Sequence, residues 1–141
     1  MRNAVARHAI QPIGWVRSPL RRRADAPRRG HEGAPNARLQ IEPAFLPGLD
    51  RLRAGRDILV LTWLHEARRD VLAVHSREDL TQPLAGVFAT RSPDRPNPIG
   101  LHPVKVLSIE ADGSLHAQGL EAIDGTPVID IKPLLAQAGG C

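Results

Sequence analysis

Residues 102–120 read HPVKVLSIEADGSLHAQGL. Two runs studded with valine, leucine and isoleucine flank Ala111-Asp112-Gly113. An Asp-Gly pair in that setting is a hairpin signal, because both residues tolerate the positive φ that a tight turn demands. The same grammar recurs outward in both directions. Residues 9–17 (AIQPIGWVR), 37–43 (ARLQIEP), 57–64 (DILVLTWL), 71–75 (VLAVH), 86–90 (GVFAT) and 128–132 (VIDIK) are short apolar runs, and a second Asp-Gly lies in EAIDGT at 121–126. Turn residues every eight to twelve positions between about seven such strands predict an all-β domain, a small closed β-barrel or sandwich. One short helix is expected at 47–54 (PGLDRLRA), where Pro47 suits the first turn and Gly55 the stop. Residues 18–36 read as a long polar loop.

The 141 residues fit one domain, 1–141, long enough to bury a core. With two Trp, two Phe and no Tyr, that core must be aliphatic, and base stacking on an aromatic sheet is disfavoured. The net charge of +4 and pI near 10.5 suit an anionic partner. Of the 19 basic residues only Lys105 and Lys132 are lysine, and six arginines fall between Arg17 and Arg29. Guanidinium grips phosphate and carboxylate with a planar fork that ammonium lacks. Cys141 stands alone, so no internal disulfide framework is possible. No apolar run approaches the length of a membrane span, and a soluble cytoplasmic protein is expected.

Three stretches carry chemistry. In GVFATRSPDRPNPIG (86–100), Ser92, Arg95 and Asn97 each precede a proline and are pushed toward extended backbone. The loop therefore has few conformations to lose on ordering. Arg91, Arg95 and Asn97 are either rigid donors for a ligand or ion-pair partners in a stiff crossover. In DGTPVIDIKP (124–133), alternation places Val128, Asp130 and Lys132 on one face, with Ile129 and Ile131 on the other. Asp124 is a turn former or a proton acceptor. RSPLRRRADAPRRGHEG (17–33) is a cationic arm, either phosphate-binding or simply solvated. His65-Glu66 and His31-Glu32 lack the second histidine of a zinc motif, so no metal site is expected.

The runs GVFATRSPDRPNPIG and GLEAIDGTPVIDIKP, with PIGWVRSP and APRR near the start, resemble the TsaA-like family of tRNA methyltransferases. The resemblance implies a β-barrel homodimer that binds S-adenosylmethionine and methylates N6 of threonylcarbamoyladenosine at position 37, in the tRNA anticodon loop. Carried over, the cofactor residues are Pro27, Arg28, Arg29, His65, Glu66, Arg91, Leu101 and the segment Gln118, Gly119, Leu120, Glu121. Asp124 and Asp130 become candidates for the base that removes the substrate proton. Arg17, Arg21, Arg22, Arg23, Arg95, Asn97 and Lys132 become tRNA-binding candidates.

The sequence departs from the family pattern at several points. Arg56-Asp57 replaces a Ser-His pair, Glu66 and Arg29 each replace Gln, Glu121 replaces Asp, and Leu134 replaces an aromatic. Longer members also carry a C-terminal domain absent from these 141 residues. Two other readings therefore remain open: a module that binds S-adenosylmethionine or RNA without methyl transfer, and a methyltransferase with another substrate.

Overall fold

The computed structural model describes residues 7–28, 30–75 and 78–135; Arg29 and Cys141 lie outside them. Eight strands occur among the described residues: β1 (Gly14–Arg17), β2 (Ala37–Ile41), β3 (Asp57–Trp63), β4 (Ala73–His75), β5 (Leu84–Gly86), β6 (Ile99–Ile109), β7 (Ser114–Gln118) and β8 (Pro127–Pro133). Six of them close into an antiparallel barrel in the order β1-β2-β7-β6-β3-β8, and β4 and β5 form a separate hairpin. Closure is made by β1 on β8, with Gly14 opposite Val128 and Trp15 opposite Pro127. The expected closed all-β barrel is thus found.

The core follows from side-chain alternation. Val16, Leu39, Ile41, Ile58, Val60, Val104, Val106, Leu115 and Val128 all point inward and are buried. Each such side chain contributes roughly 1.5–3 kcal/mol on removal from water. No aromatic residue is among the fully buried ones described, as the composition requires. A 3-10 helix, Pro43–Leu49, packs Phe45, Leu46 and Leu49 against the core. The β6–β7 hairpin turns at Gly113, φ 90°, where a Cβ would sit 2.5 Å from Leu46 Cδ2 and 2.9 Å from the Ile41 carbonyl oxygen.

Several boundaries differ from the sequence reading. The helix starts at Pro43 rather than Pro47, because Pro43 already presets the first turn. The first strand begins at Gly14, not residue 9. Residues 86–90 are not a strand: Gly86 ends β5 and Val87–Ala89 form a 3-10 turn. There the Val87 N–H donates to the Leu72 carbonyl at 2.9 Å, and the Thr90 N–H and hydroxyl both donate to the Val87 carbonyl at 3.0 Å. In β8 a bulge breaks the simple alternation, since Leu61 faces Asp130 while Thr62 faces Val128. Val128 is therefore fully buried and Ile131 also packs on the core, leaving Asp130 and Lys132 half exposed and paired at 3.4 Å.

Leu115→Ala should cost about 3 kcal/mol in urea unfolding. Lys105→Ala, an exposed change, should cost under about 0.5 kcal/mol. Similar costs for the two would mean the assigned interior is wrong.

Candidate functional site

One end of the barrel opens into a cleft of about 1230 Å³. Its walls come from the arm before β2, the turn after β3, the loop before β6, the start of β6 and the segment after β7. The Pro-rich loop is wrapped around one guanidinium. Arg95 donates to the carbonyls of Val87, Thr90 and Ser92 at 2.7, 3.1 and 2.8 Å. Arg69 donates to the Pro96 carbonyl at 2.7 Å and to Asn97 Oδ1 at 3.1 Å, and lies 5.1 Å from the Trp63 ring centroid. Asp94 Oδ1 accepts from the Arg68 N–H at 2.8 Å and from Arg23 at 2.9 Å, tying the arm to the loop. The arginines of this loop are therefore not equivalent. Arg95 is a crossover clamp, whereas Arg91 lines the cleft with no hydrogen bond or ion pair among the described residues.

The opposite wall holds a buried polar chain. His102 faces inward on β6 and is 3% exposed. Its Nδ1 lies 2.7 Å from Glu121 Oε1, and its Nε2 lies 2.7 Å from Thr62 Oγ1. Every group is satisfied when Nδ1–H donates to the carboxylate and the Thr62 hydroxyl donates to Nε2. Fully buried Thr62 is an anchor with no route to a substrate, while Glu121 reaches the cleft. Gly100 is required beside this chain. A Cβ there would lie 2.5 Å from Thr62 Oγ1 and 2.6 Å from His102 Nε2.

The cleft gathers Pro27, Arg28, His65, Glu66, Arg91, Leu101 and Glu121 from the cofactor set, with Arg23, Arg95 and Asn97 from the RNA set. His65 Nε2 and Glu66 Oε2 stand 3.8 Å apart, and Arg28 is 3.8 Å from Glu78. Gln118, Gly119 and Leu120 do not line it. Gln118 is exposed at the end of β7, the Gly119 N–H donates to Asn36 Oδ1 at 3.2 Å, and Leu120 is a core residue. Asp124 is a turn former in this fold: Oδ1 accepts from the Ser18 N–H at 3.0 Å and Oδ2 is 3.6 Å from Arg21. Asp130 and Lys132 sit on the outer wall, Arg22 pairs with Asp25 at 3.1 Å, and Arg17 is exposed at the end of β1. No cluster of three metal-ligating side chains occurs among the described residues.

Sequence reasoning missed His102 and Thr62. The available signal was a lone histidine in the inward row Gly100, His102, Val104, Val106, which demands buried partners.

The model of the tRNA-methyltransferase O N-terminal domain matches residues 15–139. The chain belongs to that family. It is 46% identical over 124 residues to a probable S-adenosyl-L-methionine-binding protein of Methanothermobacter thermautotrophicus, covering 88% of each chain. It is 42% identical to an S-adenosyl-L-methionine-binding protein of Archaeoglobus fulgidus, over 87% of this chain and 86% of the other. A crystal structure of TrmO from Pseudomonas aeruginosa superposes with a TM-score of 0.73 at 31% identity, covering 96% of this chain and 60% of that one. The chain thus spans about three fifths of that TrmO.

Gly100→Ala should cost about 2 kcal/mol in denaturant unfolding, because the new methyl group must push Thr62 and His102 apart. A neutral substitution would show that the chain is not tightly packed.

Proposed function

We propose that this family member is an S-adenosylmethionine-dependent methyltransferase acting on N6 of threonylcarbamoyladenosine at position 37 of tRNA, in the cytoplasm. One observation carries the reading: a single cleft holds an unpaired guanidinium, Arg91, and a carboxylate, Glu121, fixed by a buried histidine. Those charges suit the carboxylate and ammonium of the cofactor's amino-acid end. Leu101, and Phe88 at 82% exposure, offer apolar surface for adenine. Pro27, Arg28, His65 and Glu66 complete the wall, with Arg29 assigned beside Arg28 from the sequence.

Bound there, S-adenosylmethionine supplies an electrophilic methyl group. The residues of the chain orient the two reactants and hold the proton that N6 must lose. Asp124 and Asp130 stand outside the cleft, so either acts as base only if a second copy brings it there. Four carboxylates line the cleft in one copy: Asp94 is taken by Arg23 and the Arg68 N–H and Glu78 lies 3.8 Å from Arg28, which leaves Glu66 and Glu121 as the alternative bases.

A homodimer fits this arrangement. The outward row of β6 exposes Ile99 and Leu101 beside the cleft, a small apolar patch. Gln118 and Gly119 would complete the cofactor site of a second copy. Residues 1–141 are taken as one domain of that dimer, and no helix described is long and apolar enough to cross a membrane. The second reading is binding without methyl transfer, favoured by the position of Asp124 and Asp130 outside the cleft.

Arg91→Ala should weaken S-adenosylmethionine binding about ten- to hundredfold in calorimetry, the value of a charge-assisted contact. Unchanged affinity would place the cofactor elsewhere. Mass spectrometry of nucleosides from a deletion strain should show loss of N6-methylated threonylcarbamoyladenosine. Binding by the purified chain with no such loss supports the module reading.

A further inference from the structure

Outside the cleft, β1, β2 and β7 place three basic residues in one row. Arg17 is opposite Arg38, and Arg38 is opposite His116. Their strand neighbours Val16, Leu39, Leu115 and Ala117 are buried, so this row faces outward. Directly opposed side chains have Cβ atoms about 4.5–5.5 Å apart, and like charges so placed are destabilising. The adjoining outward row is satisfied within the protein: Trp15 Nε1–H donates to Glu42 at 2.8 Å, Gln40 to the Asp112 carbonyl at 3.1 Å, and the Ser114 hydroxyl to Gln40 at 3.0 Å.

Of the basic row only His116 has an ion-pair partner among the described residues, Glu110. Neither the Arg17 nor the Arg38 guanidinium makes a hydrogen bond or ion pair among the described residues. Two acids lie near. Glu110 is 3.9 Å from His116, and Asp112 is held below its usual pKa first by hydrogen bonds from Ser114 and only then by the charge of Arg38. A hollow of about 320 Å³ opens beside the row, and none of its lining residues is acidic. A bulge between Val106 and Ser108 leaves Leu107 unpaired, and its side chain forms part of the rim.

We propose that this outer wall is a second anion site, which takes the phosphodiester backbone of RNA on Arg17, Arg38 and His116. It rests on the tRNA reading above and adds Arg38 and His116 to it. The surface fixes the RNA on the barrel wall while the target base enters the cleft, since backbone contacts position a nucleic acid without reading its sequence.

The test is fluorescence anisotropy of a labelled tRNA transcript against salt, with the wild-type chain and the double variant Arg17→Gln/Arg38→Gln. Two lost phosphate contacts should reduce the slope of log affinity against log salt by roughly 1.4–1.8 and weaken binding about tenfold or more at low salt. Cofactor affinity should not change, and thermal stability should hold or rise as the opposed charges are removed. Wild-type binding with an unchanged slope in the variant overturns this surface alone. Loss of thermal stability together with affinity assigns the arginines to the fold and also overturns it. Failure of the wild-type chain to bind the transcript overturns both this surface and the tRNA reading.

Discussion

A histidine inside an aliphatic barrel is costly unless both ring nitrogens find partners. His102 finds them at 2.7 Å on either side, in Thr62 of β3 and in Glu121 after β7. That chain joins two neighbouring barrel strands to the segment that leads into β8. It forces glycine at position 100 and holds the Glu121 carboxylate at the wall of the cleft. The aliphatic core supplies most of the stability. The polar chain decides where the Glu121 carboxylate stands at the cleft.

The loop before β6 solves a different problem with the same economy. Its prolines remove conformational freedom but also remove N–H donors, so few backbone bonds are left to hold it. Arg95 compensates by collecting three carbonyls, while Arg69 and Arg23 tie the loop to the turn after β3 and to the arm. Arg91 then projects from a fixed frame. Stiff backbone and spent arginines together leave the Arg91 guanidinium in the cleft with no partner among the described residues.

The barrel is legible because its strands are defined by local pattern: apolar runs, Asp-Gly turns and the alternation of β6 from Ile99 to Val106. What stayed hidden depends on distant partners. The turn at Val87–Ala89 looks extended in sequence and is bent by a bond to Leu72. The bulge in β8 is invisible because Val128 and Ile129 are equally apolar, so one slip in register costs the pattern nothing. The role of His102 is hidden in the sequence because Thr62 is 40 residues away and Glu121 is 19. Composition did not separate clamping from free arginines either, since Arg91 and Arg95 differ only in what the folded loop brings to each.

The role proposed for Glu121 is to set its fixed charge against the cofactor. Calorimetric titration of S-adenosylmethionine into the wild-type chain and into Glu121→Gln tests it directly. The glutamine keeps an acceptor for His102 and removes the charge, so both proteins should fold alike by circular dichroism. Affinity should be weaker by about tenfold or more in the variant, the loss of one charge-assisted contact. Equal affinity in the two proteins would contradict it.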